Sequence, residues 1–268
     1  MRPPTTPSAT QDSTPTARSL QPAPPKMRWE EMDAARLIAA VGIIWLHTMP
    51  INPKWGFLAD FGRFAVPFFV LTAIVLTGEG LRQKPNRSYT SYLHARFMRI
   101  YVPFLFATIL YVILRDAKHF LRPASTELVA LGPWLLITGS AHHLWFLPFI
   151  LVVSVLVFPV LRWGVKTSSW RRNVLAWGCV LAGLLMALWP SPVQYNRSDG
   201  DGIKSSLTYL GSLGWNASTA IFWGITIVCW LPAIQAWIRP RRGLAMTCLM
   251  LAILLTLTNA LAGRYGLL

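Results

Sequence analysis

The sequence predicts an all-α fold, a multi-spanning transmembrane helical bundle with about seven spans plus a short re-entrant or interfacial segment. Composition is the first observation behind it: 54% of the 268 residues are hydrophobic and only 13% are charged, with a mean hydropathy of +0.45. A soluble domain carries about 25% charged residues. The second observation is distribution, because the apolar residues after position 34 fall in long runs with few charges. A helix of about 20 apolar residues matches a bilayer core of about 30 Å and satisfies its own backbone polar groups. Third, the short alternating segments of a β-barrel do not occur in the sequence.

Residues 1–28 are rich in Pro, Thr and Ser and have no apolar run. Such a segment buries too little surface to offset its ordering entropy, so it reads as a disordered cytoplasmic tail. It is not a secretory signal, because the apolar h-region is missing. Residues 29–268 form the transmembrane domain. Its expected spans are 34–51, 63–78, 100–115, 143–161, 173–189, 219–238 and 243–262. The apolar run at 128–138 is too short to cross and reads as re-entrant or interfacial. Cys179, Cys229 and Cys248 each lie inside an apolar run without metal-ligand spacing and read as small buried hydrophobes.

The net charge of +15 would suggest nucleic acid in a soluble protein. Here Lys and Arg sit between apolar runs, where they act as topology signals and argue against a nucleic-acid partner. With the N-terminus inside, the inner segments hold clusters such as Arg82, Lys84, Arg87, Arg96 and Arg99, or Arg162, Lys166, Arg171 and Arg172. The outer segments are poorer in Lys and Arg, so the N-terminus is expected to be cytoplasmic. No internal repeat supports an inverted-repeat transporter.

Ionisable residues in spans are costly and are therefore functional candidates. Arg36 and His47 lie in the first span. Eleven residues of helix place them about 20° apart around the axis and about 16 Å apart along it. Asp33 shares that face. The bland alternative makes Arg36 a snorkelling anchor and His47 an interfacial residue. Arg96 and Arg99, at the cytoplasmic entry to the third span, share a face at i, i+3 spacing and suit a phosphate or pyrophosphate. The alternative there is plain positive-inside charge. His143, opening the fourth span, is expected at the depth of His47. Two histidines at one level can flank a reacting hydroxyl, or else belong to the interfacial belt beside Trp145.

These motifs together resemble the membrane acyltransferase 3 family. MDAARLIAAVGIIWLH at 32–47 resembles its first helix, with an Asp, an Arg three later and a His further along. ARFMRIYVPF at 95–104 is similar to its R-x-x-R segment, AVPFFVL at 65–71 to its second helix, and HLWFLP at 143–148 to its fourth. Two features depart from the pattern. FFVLTA stands where the family has a Ser-Gly pair, and the family has more spans than the seven counted. A chain truncated at its C-terminus, a short variant and an inactive relative all fit that smaller number.

The resemblance implies an O-acyltransferase, often an O-acetyltransferase. The donor substrate would be cytoplasmic acyl-CoA, such as acetyl-CoA, with no permanently bound cofactor. The acceptor would be a hydroxyl of a carbohydrate, on a cell-surface polysaccharide or a lipid-linked sugar. The site would be a multi-pass protein of a bacterial inner membrane, in contact with membrane lipid. His47 would be catalytic, Arg36 part of the same motif, and His143 a further catalytic candidate. Arg96 and Arg99 would meet the acyl donor. A neutral histidine acts as general base or as acyl-histidine nucleophile, and both routes stay open. A transporter or flippase of a lipid-linked sugar, and a non-catalytic relative, are the competing readings.

Overall fold

The computed structural model describes residues 30–48, 62–121, 131–141, 144–188, 203–237 and 242–264. The expected tail, 1–28, lies outside the described residues. Every regular element among them is helical. Helix α1 is Glu30–Thr48, and a 3-10 turn, Gly62–Phe64, leads directly into α2, Ala65–Gln83. Helix α3, Tyr89–Arg96, continues through a π-helical turn, Phe97–Tyr101, into α4, Val102–Leu121. A single turn, α5, is Leu135–Thr138. The remaining helices are α6 (Phe146–Lys166), α7 (Ser169–Leu188), α8 (Ile203–Trp237) and α9 (Arg242–Arg264).

All seven expected spans are helical over most of their described length. Among the described residues, four helices are long and apolar enough to cross a membrane: Ala65–Gln83, Tyr89–Leu121, Phe146–Lys166 and Ala217–Ile234. Gly243–Leu257 is a shorter apolar helix. Glu30, Glu31, Asp33 and Arg36 crowd the start of α1 and shorten its apolar stretch. The chain is thus an all-α, multi-pass membrane protein.

Proline explains several local features. Pro67 and Pro148 sit in the first turns of α2 and α6, where the missing N–H is not needed. Pro103 has no N–H for the Arg99 carbonyl four residues back, and the ladder widens into the π turn just before it. Pro159, inside α6, leaves the Val155 carbonyl without its helical donor. The Tyr89 hydroxyl donates to that carbonyl at 3.4 Å.

Helix α2 is the hub, packing against α1, α6, α8 and α9. Its contact with α8 depends on small residues. A Cβ added at Gly78 would lie 2.5 Å from both Val228 methyl carbons, and one at Gly224 would lie 3.0 Å from Ile74 Cβ. Such close approach gains van der Waals contact in a solvent where burial alone gains little. Phe69 meets Phe146 near one end of α2, and Tyr92, beside Thr77, stacks on Phe158 further along. Helices α2 and α6 therefore run parallel. The C-terminus of α2, the start of α3 and the α6–α7 hairpin lie at one end of the bundle.

Residues 131–138 of the run at 128–138 are described, and only the single turn Leu135–Thr138 among them is helical. After α4 ends at Leu121 the chain folds back along it: Tyr101 Oη donates to the Leu136 carbonyl at 3.0 Å, and Ser140 Oγ to the Thr108 carbonyl at 2.8 Å. Non-helical backbone at membrane depth needs such partners. The reversal uses Gly139 at φ +74°, where a Cβ would also meet Leu144 Cβ at 2.6 Å.

Candidate active site

Helix α1 is unbroken from Glu30 to Thr48, so positions 36 and 47 keep the axial separation of about 16 Å expected of a helix. Met32, Ala35 and Ala39 form its buried stripe, and Arg36 lies at the edge of that stripe. Arg36 Nη1 donates to Asp33 Oδ1 at 3.4 Å, with side-chain exposures of 39% and 41%. An ion pair this open contributes at most about 1 kcal/mol, so its role is to orient the guanidinium rather than to hold the fold. The side chain of His47 and the whole of His143 lie outside the described residues.

Arg96 is built into the bundle. Its Nη2 donates to Thr77 Oγ1 at 2.7 Å, and its guanidinium lies 5.4 Å from the Tyr92 ring centroid. The Thr77 hydroxyl has one proton, which it gives to the Ala73 carbonyl at 2.7 Å. Both lone pairs then accept, one from Arg96 and one from Tyr92 Oη at 3.2 Å. Tyr92 is buried and stacks on Phe158 at 4.3 Å between centroids. Arg87 also approaches the Tyr92 ring, at 5.3 Å. One aromatic side chain therefore bears on two guanidiniums, a favourable arrangement because the ring quadrupole attracts cations.

Arg96 and Arg99 do not share an environment. Arg96 is half-buried against α2, while Arg99 is exposed within the π turn. The wider turn rotates residue 99 away from where regular i, i+3 spacing would put it. No hydrogen bond or ion pair joins Arg36 to Arg96 among the described residues. They flank the same scaffold, because α1 packs on α2 and Arg96 bonds to Thr77 of α2.

Sequence reasoning did not reach Thr77 and Tyr92, the two residues that hold Arg96. Tyr92 stands one turn before Arg96, and Thr77 is a hydroxyl inside an apolar run. Those are signals of a kind, but pairing them requires the fold. Chemically, the cluster offers a fixed guanidinium with further N–H donors beyond the one on Thr77, plus an exposed guanidinium one turn away. That combination suits an anionic, phosphate-bearing ligand.

A family model described as an acyltransferase domain, that of the acyltransferase 3 family, matches residues 29–267. No curated protein and no solved structure matches the chain. The matched region runs from the start of α1 past the end of α9, and it contains Arg36, His47, Arg96, Arg99 and His143. The chain therefore belongs to the acyltransferase 3 family of membrane acyltransferases.

Proposed function

We propose that the protein is an O-acyltransferase that moves an acyl group, acetyl in the simplest case, from acyl-CoA on the cytoplasmic side to a carbohydrate hydroxyl. The acceptor is a cell-surface polysaccharide or a lipid-linked sugar in a bacterial inner membrane, with the N-terminus of the chain in the cytoplasm. The observation that carries this reading is Arg96, a guanidinium fixed by Thr77 and Tyr92 beside the exposed Arg99, within a chain of an acyltransferase family. Donor phosphates are the natural partners of such a pair.

In this reading Arg96 and Arg99 hold the donor phosphates, and Arg36 lies on the helix that leads to His47. His47 takes the proton of the acceptor hydroxyl, whose oxygen attacks the thioester carbonyl. The tetrahedral intermediate collapses, the C–S bond breaks, and the thiolate leaves with the proton from His47. His143 serves as a second catalytic histidine. The covalent variant passes the acyl group through a His47 nitrogen before the hydroxyl attacks.

The test is glycan O-acylation in a deletion strain complemented with wild type or His47→Ala at matched membrane levels. Wild type restores ester-linked acyl groups, and the variant falls by about 10²–10⁴-fold, the range for loss of a general acid–base. Equal restoration by both would remove His47 from the mechanism. Consumption of acyl-CoA thioester by the purified protein separates this function from transport of a lipid-linked sugar.

A further inference from the structure

Where α2, α6, α7 and α8 meet, a pocket of about 290 Å³ is lined by Arg82, Val165, Arg172, Val228 and Pro232. It belongs to a different face of the bundle from the Arg96 cluster. Arg82 is five residues beyond Thr77, which is about 140° around the α2 axis. Three of the five lining residues are apolar, and two are guanidiniums brought together from positions 90 residues apart in the chain.

Glu79 Oε2 stands 3.9 Å from Arg82 Nη1, and Glu79 Oε1 accepts from Gln83 Nε2 at 3.2 Å. Glu79 Oε2 and Arg172 Nε are both buried without a hydrogen-bond partner among the described residues. Glu79 thus faces Arg82, while the half-buried Arg172 has a buried Nε donor left unmatched, and an unsatisfied donor of a charged group is costly. Pro232, moreover, cannot donate to the Val228 carbonyl four residues before it, and both residues line the pocket. The pocket thus sets guanidinium donors beside a turn of α8 whose Val228 carbonyl has lost its helical donor.

Its depth follows from its neighbours. Trp163 and Trp170 are exposed and lie two residues before Val165 and Arg172 in the α6–α7 hairpin. Exposed tryptophans beside clustered Lys and Arg mark a membrane–water interface. A basic pocket between helices at that level suits an anionic lipid headgroup.

We infer that the Arg82–Arg172 pocket binds the phosphodiester of an anionic phospholipid. The single phosphodiester charge matches the Arg172 guanidinium, whose Nε has no partner among the described residues. A headgroup hydroxyl, as in phosphatidylglycerol, can donate to the Val228 carbonyl, and the acyl chains leave along the apolar wall. The site is independent of the acyl-transfer reading and stands whether or not that reading holds.

The experiment is native mass spectrometry of the full chain extracted from vesicles of equal phosphatidylglycerol and phosphatidylcholine. Wild type retains phosphatidylglycerol over phosphatidylcholine by about tenfold, the ratio that one charge-assisted contact supplies. Arg82→Gln with Arg172→Gln abolishes the preference. Arg172→Lys, which keeps the charge and the packing but not the guanidinium fork, lowers it by about threefold. Arg171→Gln, which removes an exposed neighbouring charge, leaves it intact. Retention of the full preference by the double variant or by Arg172→Lys overturns the proposal, and so does an equal loss in Arg171→Gln. Displacement of the bound lipid by coenzyme A also overturns it, because the pocket would then take a soluble phosphate ester.

Discussion

Helices α2 and α4 are nearly the same length, 19 and 20 residues, and both are strongly apolar. Yet 61% of the spanning window in Ala65–Gln83 is buried, against 11% of the window in Tyr89–Leu121. Their small residues account for much of the difference. Helix α2 carries Thr72, Ala73, Thr77 and Gly78, which let α8 and Arg96 approach closely. Helix α4 shows large side chains outward, among them Phe106, Ile109, Leu110, Ile113 and Leu114. Its only buried residues are Phe104 and Thr108, one turn apart. In lipid, burying a leucine gains little, so close fit and internal hydrogen bonds decide which helix is central. Apolarity therefore identifies a span, whereas small and hydroxyl-bearing residues identify the hub.

The strongest way to break this contrast is to fill the α2–α8 contact. Gly78→Leu forces a side chain where a single Cβ already comes within 2.5 Å of Val228. Overpacking of this severity is expected to cost about 3 kcal/mol or more, read by SDS titration of the refolded protein. A cost below that of Thr77→Val would mean that α2 and α8 are not in such close contact.

Thr77→Val comes next. It removes the acceptor of both Arg96 and Tyr92 while keeping the shape of the side chain. The same titration should show a loss of about 1–3 kcal/mol, the cost of orphaned buried donors. Thr77→Ser should recover most of it. If donor binding depends on a fixed Arg96, the apparent KM for acyl-CoA rises in Thr77→Val and returns towards normal in Thr77→Ser.

The smallest effect belongs to α4. Ile113→Ala removes a large side chain from an exposed face and should shift stability by no more than about 0.5 kcal/mol. A loss as large as that of Thr77→Val would show that another helix or another copy covers this face in the membrane, and the contrast with α2 would fail.

The spans were legible because hydropathy is a one-residue property summed along the chain. The helices run past the expected spans where polar residues continue them. The third helix starts at Tyr89 rather than near residue 100, because YTSYLHAR is polar by composition but packs Tyr89 and Tyr92 onto Phe158. Helix α8 begins at Ile203, while its apolar, membrane-length part, Ala217–Ile234, agrees with the expected span at 219–238. Its 35 residues give a rod of about 52 Å, longer than any bilayer core. At the candidate site, Arg36, Arg96 and Arg99 were visible as charges next to apolar runs. Their different surroundings were not, because a π turn and a hydroxyl on another helix decide them. The Arg82–Arg172 pocket was read only as positive-inside charge, since nothing in a linear pattern relates residues 90 positions apart.

The π turn at Phe97–Tyr101 works as a phase shifter between two halves of one long helix. Upstream of it, Tyr89, Tyr92 and Arg96 address α2 and α6. Downstream, Phe104 and Thr108 address the fold-back segment that leads to α6. One added residue turns a helix by about 100°, so the bulge lets a single rod serve two partners that a regular helix could not face at once. A relative lacking the bulge would align with this chain only by opening a one-residue gap there, and its arginine pair would be phased differently from Arg96 and Arg99.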